Sequence, residues 1–352
     1  MTACARKRAV LCLCLIITAS SPFAAFGGEA VFNTDRPFPS LYPGRLFRDA
    51  IEAASATPSA AGGRVTGLIV PHHLLAADLV AKGFALVREG EYDRIVILTP
   101  DHYRRGRTLF SVPGRDFMTP LGDVPLDREG AEQLKQSALV SESNLFSHEH
   151  GVQVLLPFVA RHFLGVPVLP VAIGIRSGRE EWRAMAYALA SISGGRALII
   201  QSTDFSHYLG REETALHDDE SQAVIMSRDP ELALALRQPS HIDSRGALYI
   251  QMTLQRELGA SPMIAARSSS FDYDAEEAKK SGGTSYFVVV YQVSWTGGAS
   301  GESHIGFFKD RWYAIRTKLQ VPVQRQVKRE AGGSPARSRH CKRIGNRLKC
   351  HW

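Results

Sequence analysis

Between Cys14 and Cys341 the 352-residue chain contains no cysteine. A thiolate nucleophile and a thiolate metal ligand are therefore both excluded from the intervening core. The glycine pattern of a phosphate-cradling loop is missing, as is the G-x-S-x-G elbow of serine hydrolases. No internal repeat is visible, and after the N-terminus there is no apolar run of the ~20 residues a spanning helix needs. An overall charge excess is also absent from the body of the chain. Residues 321–352 hold nine Arg or Lys against one Glu, so the formal net charge of +7 leaves the remainder at −1. A nucleic-acid partner is not expected from such a body.

What is present begins with "MTACARKRAVLCLCLIITASSPFAAFGGEA". Arg6, Lys7 and Arg8 form a basic start, Ala9 to Ala19 an apolar stretch of signal-peptide length, and small residues surround Ala25 and Gly27. Residues 1–27 therefore read as a secretory signal, with export to a bacterial periplasm as the expected localisation. Only Cys341 and Cys350 would survive cleavage, and in an oxidising compartment they are expected to form one local disulfide. The tail around them, 321–352, is basic and poor in large apolar residues, which predicts a flexible extension able to touch an anionic surface.

Residues 30–297 alternate strand and helix. "RVTGLIV" (64–70), "RIVIL" (94–98), "VPVLPVAIG" (166–174) and "RALIIQS" (196–202) are apolar, β-branched runs. Helical stretches lie between them: one after Leu74, one over 128–137, "QVLLPFVARHF" and 179–193. Further helices are expected at about 211–227, 230–236 and 245–258, before two closing strands, "PMIAARSSS" and "TSYFVVVYQVSW". Continuous Val/Ile/Leu strands separated by helices predict one α/β domain, a mostly parallel central sheet with helices on both faces. Glycines at 297–301 mark its end, and residues 298–320 read as a linker with one amphipathic helix, "FFKDRWYAIRTKL".

Histidine is the informative residue. "GLIVPHH" places His72 and His73 directly after the first core strand, "VILTPDHY" places His102 after the second, and "LIIQSTDFSHY" places Asp204 and His207 after a third. Ligands of open parallel sheets bind at the carboxyl ends of strands. Three strands ending this way would gather imidazoles at one sheet edge, where neutral imidazole suits Zn, Cu, Fe or Ni; three unrelated loop histidines are the plainer alternative. Asp243, in "SHIDSRGAL", is a candidate further ligand, although it also precedes a helix at Ser244 that an N-cap would explain. His162, His217 and His304 read as surface positions, and Asp218, Asp219 and Glu220 as a solvated helix face.

"VPHH", "ILTPDHY", "FMTPLGDVPLD", "EHGVQVLLPF", "STDFSHY", "IDSRGAL" and "GGTSYFVVVY" follow one another as in Memo-like proteins, including the bacterial group called AmmeMemoRadiSam system protein B. The resemblance covers about residues 36–293. That family in turn resembles the catalytic subunit of class III extradiol dioxygenases, so it implies a dioxygenase catalytic-subunit-like fold. By the resemblance, His72 and His102 match two metal-binding histidines and His207 a further site histidine, while His150 and Asp204 fall in matched motifs as supporting or substrate-facing groups. Two departures stand out. Asp243 occupies a position where Memo-like proteins usually carry cysteine. "EHGVQVLLPF" replaces the commoner "EHSxExQLPF", with Gly151 for Ser, Gln153 for Glu and Leu155 for Gln.

With Asp243 in place, His72, His102 and Asp243 would make the two-histidine, one-carboxylate set of non-haem Fe(II) oxygenases. Fe(II) is the favoured cofactor, with Zn, Mn or Cu possible, Cu(I) binding being expected to be weaker than with a thiolate in place of Asp243. Two readings follow. One is an exported metal-dependent oxidoreductase acting on a small molecule, with His207, His150 and Asp204 as its catalytic groups. The other is a non-catalytic metal- or ligand-binding protein on a dioxygenase-like scaffold, since a fold does not carry a chemistry with it. Metal-assisted hydrolysis ranks third.

Overall fold

The computed structural model describes residues 36–294 in full, together with the backbone of two short C-terminal strands. The expected signal at 1–27, the helix within 298–320 and residues 321–339 lie outside the described residues. In chain order the elements are α1 (Gly44–Ala53), β1 (Gly63–Val70), α2 (Ala77–Val87), β2 (Arg94–Pro100), β3 (Phe110–Val112), α3 (Arg128–Lys135), β4 (Val140–Glu142), α4 (His150–Gln153), α5 (Leu156–His162) and β5 (Val168–Ile173). They continue with α6 (Arg179–Ser193), β6 (Ala197–Ser202), β7 (His207–Leu209), α7 (Arg211–Ser227), α8 (Arg245–Leu258), β8 (Ser261–Ser269), α9 (Ser270–Tyr273), α10 (Ala275–Ser281) and β9 (Gly283–Ser294). The C-terminal strands β10 (His340–Ile344) and β11 (Arg347–His351) pair antiparallel, with Cys341 opposite Cys350 in the register.

Nine strands form one mixed sheet in the order β4-β3-β5-β2-β6-β1-β9-β7, with β8 on β9. The four strands at its heart, β5, β2, β6 and β1, are parallel. Both flanks turn antiparallel, where β3 meets β5 and β9 meets β1.

Strand alternation explains why the central runs are apolar throughout. Leu68, Val70, Ile95, Ile97, Leu198 and Ile200 enter the core shared with α2 and α5. Their neighbours Ile69, Val96, Leu98 and Ile199 enter the opposite core, shared with α6 and α8. Successive side chains point to opposite faces, so a strand covered on both faces must be apolar at every position. Among the described residues, no helix is long and apolar enough to cross a membrane.

Two expected helices are shorter than their patterns. "QVLLPFVARHF" breaks into α4 and α5, with Pro157 in the first turn of α5, because proline has no N–H to donate back to the preceding turn. Residues Pro230–Ala235 form a 3₁₀ turn rather than an α-helix.

The interior carries one polar seam, between α8 and β1. The β1–β9 register shifts between Val65 and Gly67, leaving Thr66 as an extra residue outside the ladder. Gln255 of α8 repairs the gap: its amide donates to the Thr66 carbonyl at 3.2 Å and accepts from the Thr66 hydroxyl at 2.6 Å. Gly67 is required beside it, since a Cβ there would collide with the amides of Gln251 and Gln255. The seam fixes α8 against the parallel strands, and α8 opens directly after Asp243.

Candidate metal centre

His102, Asp204 and His72 each sit two residues past the end of a parallel strand, β2, β6 and β1 respectively. These three strands are adjacent in the sheet, and their register pairs Val70 with Ser202 and Leu98 with Gln201. The strand ends therefore finish nearly level, and whatever follows them converges. His72 and His102 have ring centroids 4.7 Å apart. His150, the first residue of α4, joins them at 4.0 Å from His102 and 4.9 Å from His72. One ring nitrogen from each of His72, His102 and His150 lies within 4.8 Å of the others, a spacing that can hold a metal ion.

Each side chain is oriented from behind. Ser202 has one proton and donates it to the Gly151 carbonyl, which can only accept. The Ser202 oxygen, 3.1 Å from His72 Nδ1, must then accept from that nitrogen, which leaves His72 Nε2 for the centre. Glu149 does the same for His102. Its carboxylate takes the His102 Nδ1 proton at 2.5 Å and the His102 backbone N–H at 3.1 Å, and also caps α4 through the Gly151 N–H at 3.0 Å. A histidine whose rear nitrogen donates to a fixed acceptor presents its other nitrogen as a lone pair, the arrangement metal-binding histidines use.

Asp243 is not the cap of α8. Ser244 fills that role, accepting from the Ala247 N–H at 3.1 Å. The Asp243 carboxylate turns instead toward the imidazoles, with Oδ2 3.2 Å from His72 Nε2 and 3.8 Å from His102 Nε2. It is pinned there by the Thr203 hydroxyl and by the Asp204 N–H at 3.0 Å, while its own N–H donates to the Asp204 carbonyl at 3.1 Å. Asp204 in turn accepts the His72 backbone N–H at 3.1 Å. The carboxylate of Asp101, which shares a strand end with His102, accepts from the backbone N–H groups of Arg105 and Gly106 at 3.0 and 2.7 Å, closing its own loop.

The electrostatics favour positive charge at this point. Burial works against a charged His72, but the carboxylates of Asp204 and Asp243 more than reverse it and raise its pKa. The same contest, decided by Asp243 and Glu149, pushes His102 up to about 10. His150 moves the other way, to about 3, through burial and the neighbouring positive charge of His72 and His102. Burial would raise the Asp243 carboxyl, yet the two imidazoles hold it far below the usual carboxylate range. Two carboxylates and two basic imidazoles around one point form a centre whose protons a cation can replace.

His207 lies outside this group. It sits on β7, with its Nδ1 turned to the carbonyl of Phe205 and its ring against Tyr208. His73 faces away from the trio and meets the Tyr286 hydroxyl at 2.5 Å. Of the motif departures, Gly151 has a physical reason: Thr99 Oγ1 occupies the space a side chain at 151 would need. Gln153 is buried and donates to the Phe146 carbonyl at 2.9 Å, and Leu155 is wholly buried in the α2–α5 core.

Three readings of polar residues require correction, the first being His162, which is not a surface position but half-buried and stacked on Phe84. His217 is buried, not a surface residue, and stacks on His241 at 4.0 Å with planes 12° apart. Asp218 is not on a solvated face: it is 2% exposed, accepts from Ser206 at 2.7 Å and Ser285 at 2.5 Å, and pairs with Arg267. His217 and Asp218 sit on α7, whose inward positions the charged run "HDDE" conceals.

Residues 45–290 match the model of a family described as Memo-like protein. A MEMO1 family protein of Pyrobaculum aerophilum is 32% identical over 176 residues, 48% of this chain and 62% of that protein. One from Thermotoga petrophila is 30% identical over 174 residues, 47% of this chain and 62% of that protein. A third, from Desulfurococcus amylolyticus, is 27% identical over 217 residues, covering 58% of this chain and 76% of the relative. The chain thus spans less than two thirds of the length of the Pyrobaculum and Thermotoga relatives it matches.

Proposed function

The chain belongs to the Memo-like family, and from that premise we propose that it works by holding a divalent metal ion between His72, His102 and His150, with Asp243 as the anionic ligand. The observation that carries this reading is the convergence of three imidazoles, two of which, His72 and His102, have separately fixed rear contacts. The donor set is nitrogen and oxygen only, which favours Fe(II), Mn(II) or Zn(II) over Cu(I). A metal bound there would supply Lewis acidity to an oxygen-bearing small molecule. The chain's own groups would do the rest: Glu149 and Ser202 hold the imidazoles in one tautomer, and Asp204 braces the His72 backbone. His207, on β7 outside the trio, is the candidate proton carrier.

The finer reading is a non-haem, dioxygenase-like oxidoreductase, supported by the family's resemblance to ring-cleaving dioxygenases and by Asp243 in place of an oxidisable thiolate. A non-catalytic metal-binding role uses the same residues. Metal analysis by mass spectrometry on wild type, His102→Ala and Asp243→Asn tests the site; equal metal content in all three would overturn it. Anaerobic Fe(II) loading followed by oxygen uptake with a panel of catechols separates the two roles, with uptake expected for the oxidoreductase. Export remains part of the proposal, and N-terminal sequencing of the mature protein, expected to begin near residue 28, tests it.

A further inference from the structure

A second concavity opens at the same sheet edge, on the far side of Asp243. It has a volume of about 450 Å³, within the ~300–1,000 Å³ typical of small-molecule sites. None of His72, His102 and His150 lines it. Its walls are the end of β5, the start of α6 and the first turn of α8, with Arg237 and Gln238 from the preceding loop.

Two guanidiniums line the cavity, Arg237 and Arg245, and no carboxylate does. Neither arginine makes an ion pair among the described residues. Arg245 is anchored by Nη1 donating to the carbonyls of Leu234 and Leu236 at 3.3 and 3.2 Å, which leaves Nη2 with no hydrogen bond among the described residues. Arg237 donates one Nη2 hydrogen bond to His217 Nε2 at 3.2 Å and is otherwise exposed. The nearby acid Glu220 is committed elsewhere, 2.6 Å from His241 Nε2. A planar guanidinium with unspent donors is matched by an oxyanion, and the start of α8 adds its positive dipole end.

The rest of the lining includes apolar surface. Ile173 is buried, Ile175 is 57% exposed at the mouth, and the Trp182 indole N–H is already spent on Ser177 Oγ at 2.7 Å. Trp182 therefore offers the cavity only its ring. Charge together with an aromatic and aliphatic surface selects a ligand with both characters.

We propose that this cavity binds a small aromatic or aliphatic carboxylate, its carboxylate between Arg237 and Arg245 and its apolar body against Trp182 and Ile175. The site is independent of the metal reading, although the residues that form its α8 wall directly follow Asp243.

Titration calorimetry of the full chain stripped of metal by a chelator tests this with benzoate, benzyl alcohol and inorganic phosphate. Benzoate is expected to bind at least tenfold more tightly than either, Arg237→Gln to weaken it at least fivefold, and His102→Ala to leave it unchanged. Arg245→Lys, which keeps the charge but loses the fork, should weaken benzoate as well, with thermal melting confirming that both variants are folded. The assignment fails if benzoate does not bind, if benzyl alcohol binds equally well, or if phosphate binds more tightly. It also fails if His102→Ala abolishes binding while Arg237→Gln does not, which would place the anion at the metal centre.

Discussion

Among the described residues, two clusters of histidines are built to opposite ends. At the strand ends, His72, His102 and His150 each turn a nitrogen toward a common point, with the rear nitrogens of His72 and His102 spent on Ser202 and Glu149. Around α7, His217 and His241 are as close as His102 and His150, stacked at 4.0 Å, but every ring nitrogen is engaged. His217 uses Ser240 O and Arg237; His241 uses Ser240 Oγ and Glu220. The ring spacing is similar in both, and the α7 pair is the more buried. What separates them is whether lone pairs are left over and where they point, and only the first group has any to give.

The contrast can be broken from the metal side first. His102→Ala removes a ligand candidate and should reduce Zn(II) or Fe(II) affinity by more than ~100-fold, the upper end of what loss of a mere supporting partner costs. Competition with a fluorescent chelator measures it, and an unchanged affinity would dissolve the contrast. Glu149→Gln keeps a hydrogen bond but weakens the hold on His102, so a loss of ~10–100-fold is expected in the same assay. Ser202→Ala, acting on His72 through a neutral bond, should fall at the low end of that range. His241→Phe, in the second group, should leave metal affinity untouched and lower the urea midpoint modestly, by losing the ring contacts to Ser240 Oγ and Glu220.

The smallest expected effect concerns His162, a histidine in neither group. It lies nearly parallel to Phe84, and burial together with Arg161 and Arg88 lowers its pKa to about 4. Folding therefore favours its neutral form. Its contribution is complete above the unfolded value of ~6.5 and drains away as pH falls from there toward 4. Urea midpoints across that window should fall less steeply in His162→Phe than in wild type.

Much of this was legible in the residues. The four parallel strands declare themselves because burial on both faces leaves no room for polar residues, and the histidines after them follow from where such strands end. Asp243 could be singled out as a ligand or a cap, but choosing between them needed the position of Ser244 in space. Glu149 was harder, since a carboxylate between two histidines looks like a solvated loop, and nothing local says it is 0% exposed. The partners of His217 and Asp218 come from residues 12 to 67 positions away, a separation at which sequence pattern carries no signal. His150 was marked as a supporting group, and only the turn of α4 brings it within reach of the other two.

The vacancy at Gly151 has a consequence for the order in which this centre could be altered. Because the Thr99 hydroxyl fills the volume that a side chain at 151 would take, the two positions are epistatic. Gly151→Ser introduced alone should crowd the His102 ring as well, whereas Thr99→Gly introduced first opens the space. Of the two routes to the double variant, one passes through a strained intermediate and the other through a small void. A mutational path toward a serine at 151 should therefore run through position 99.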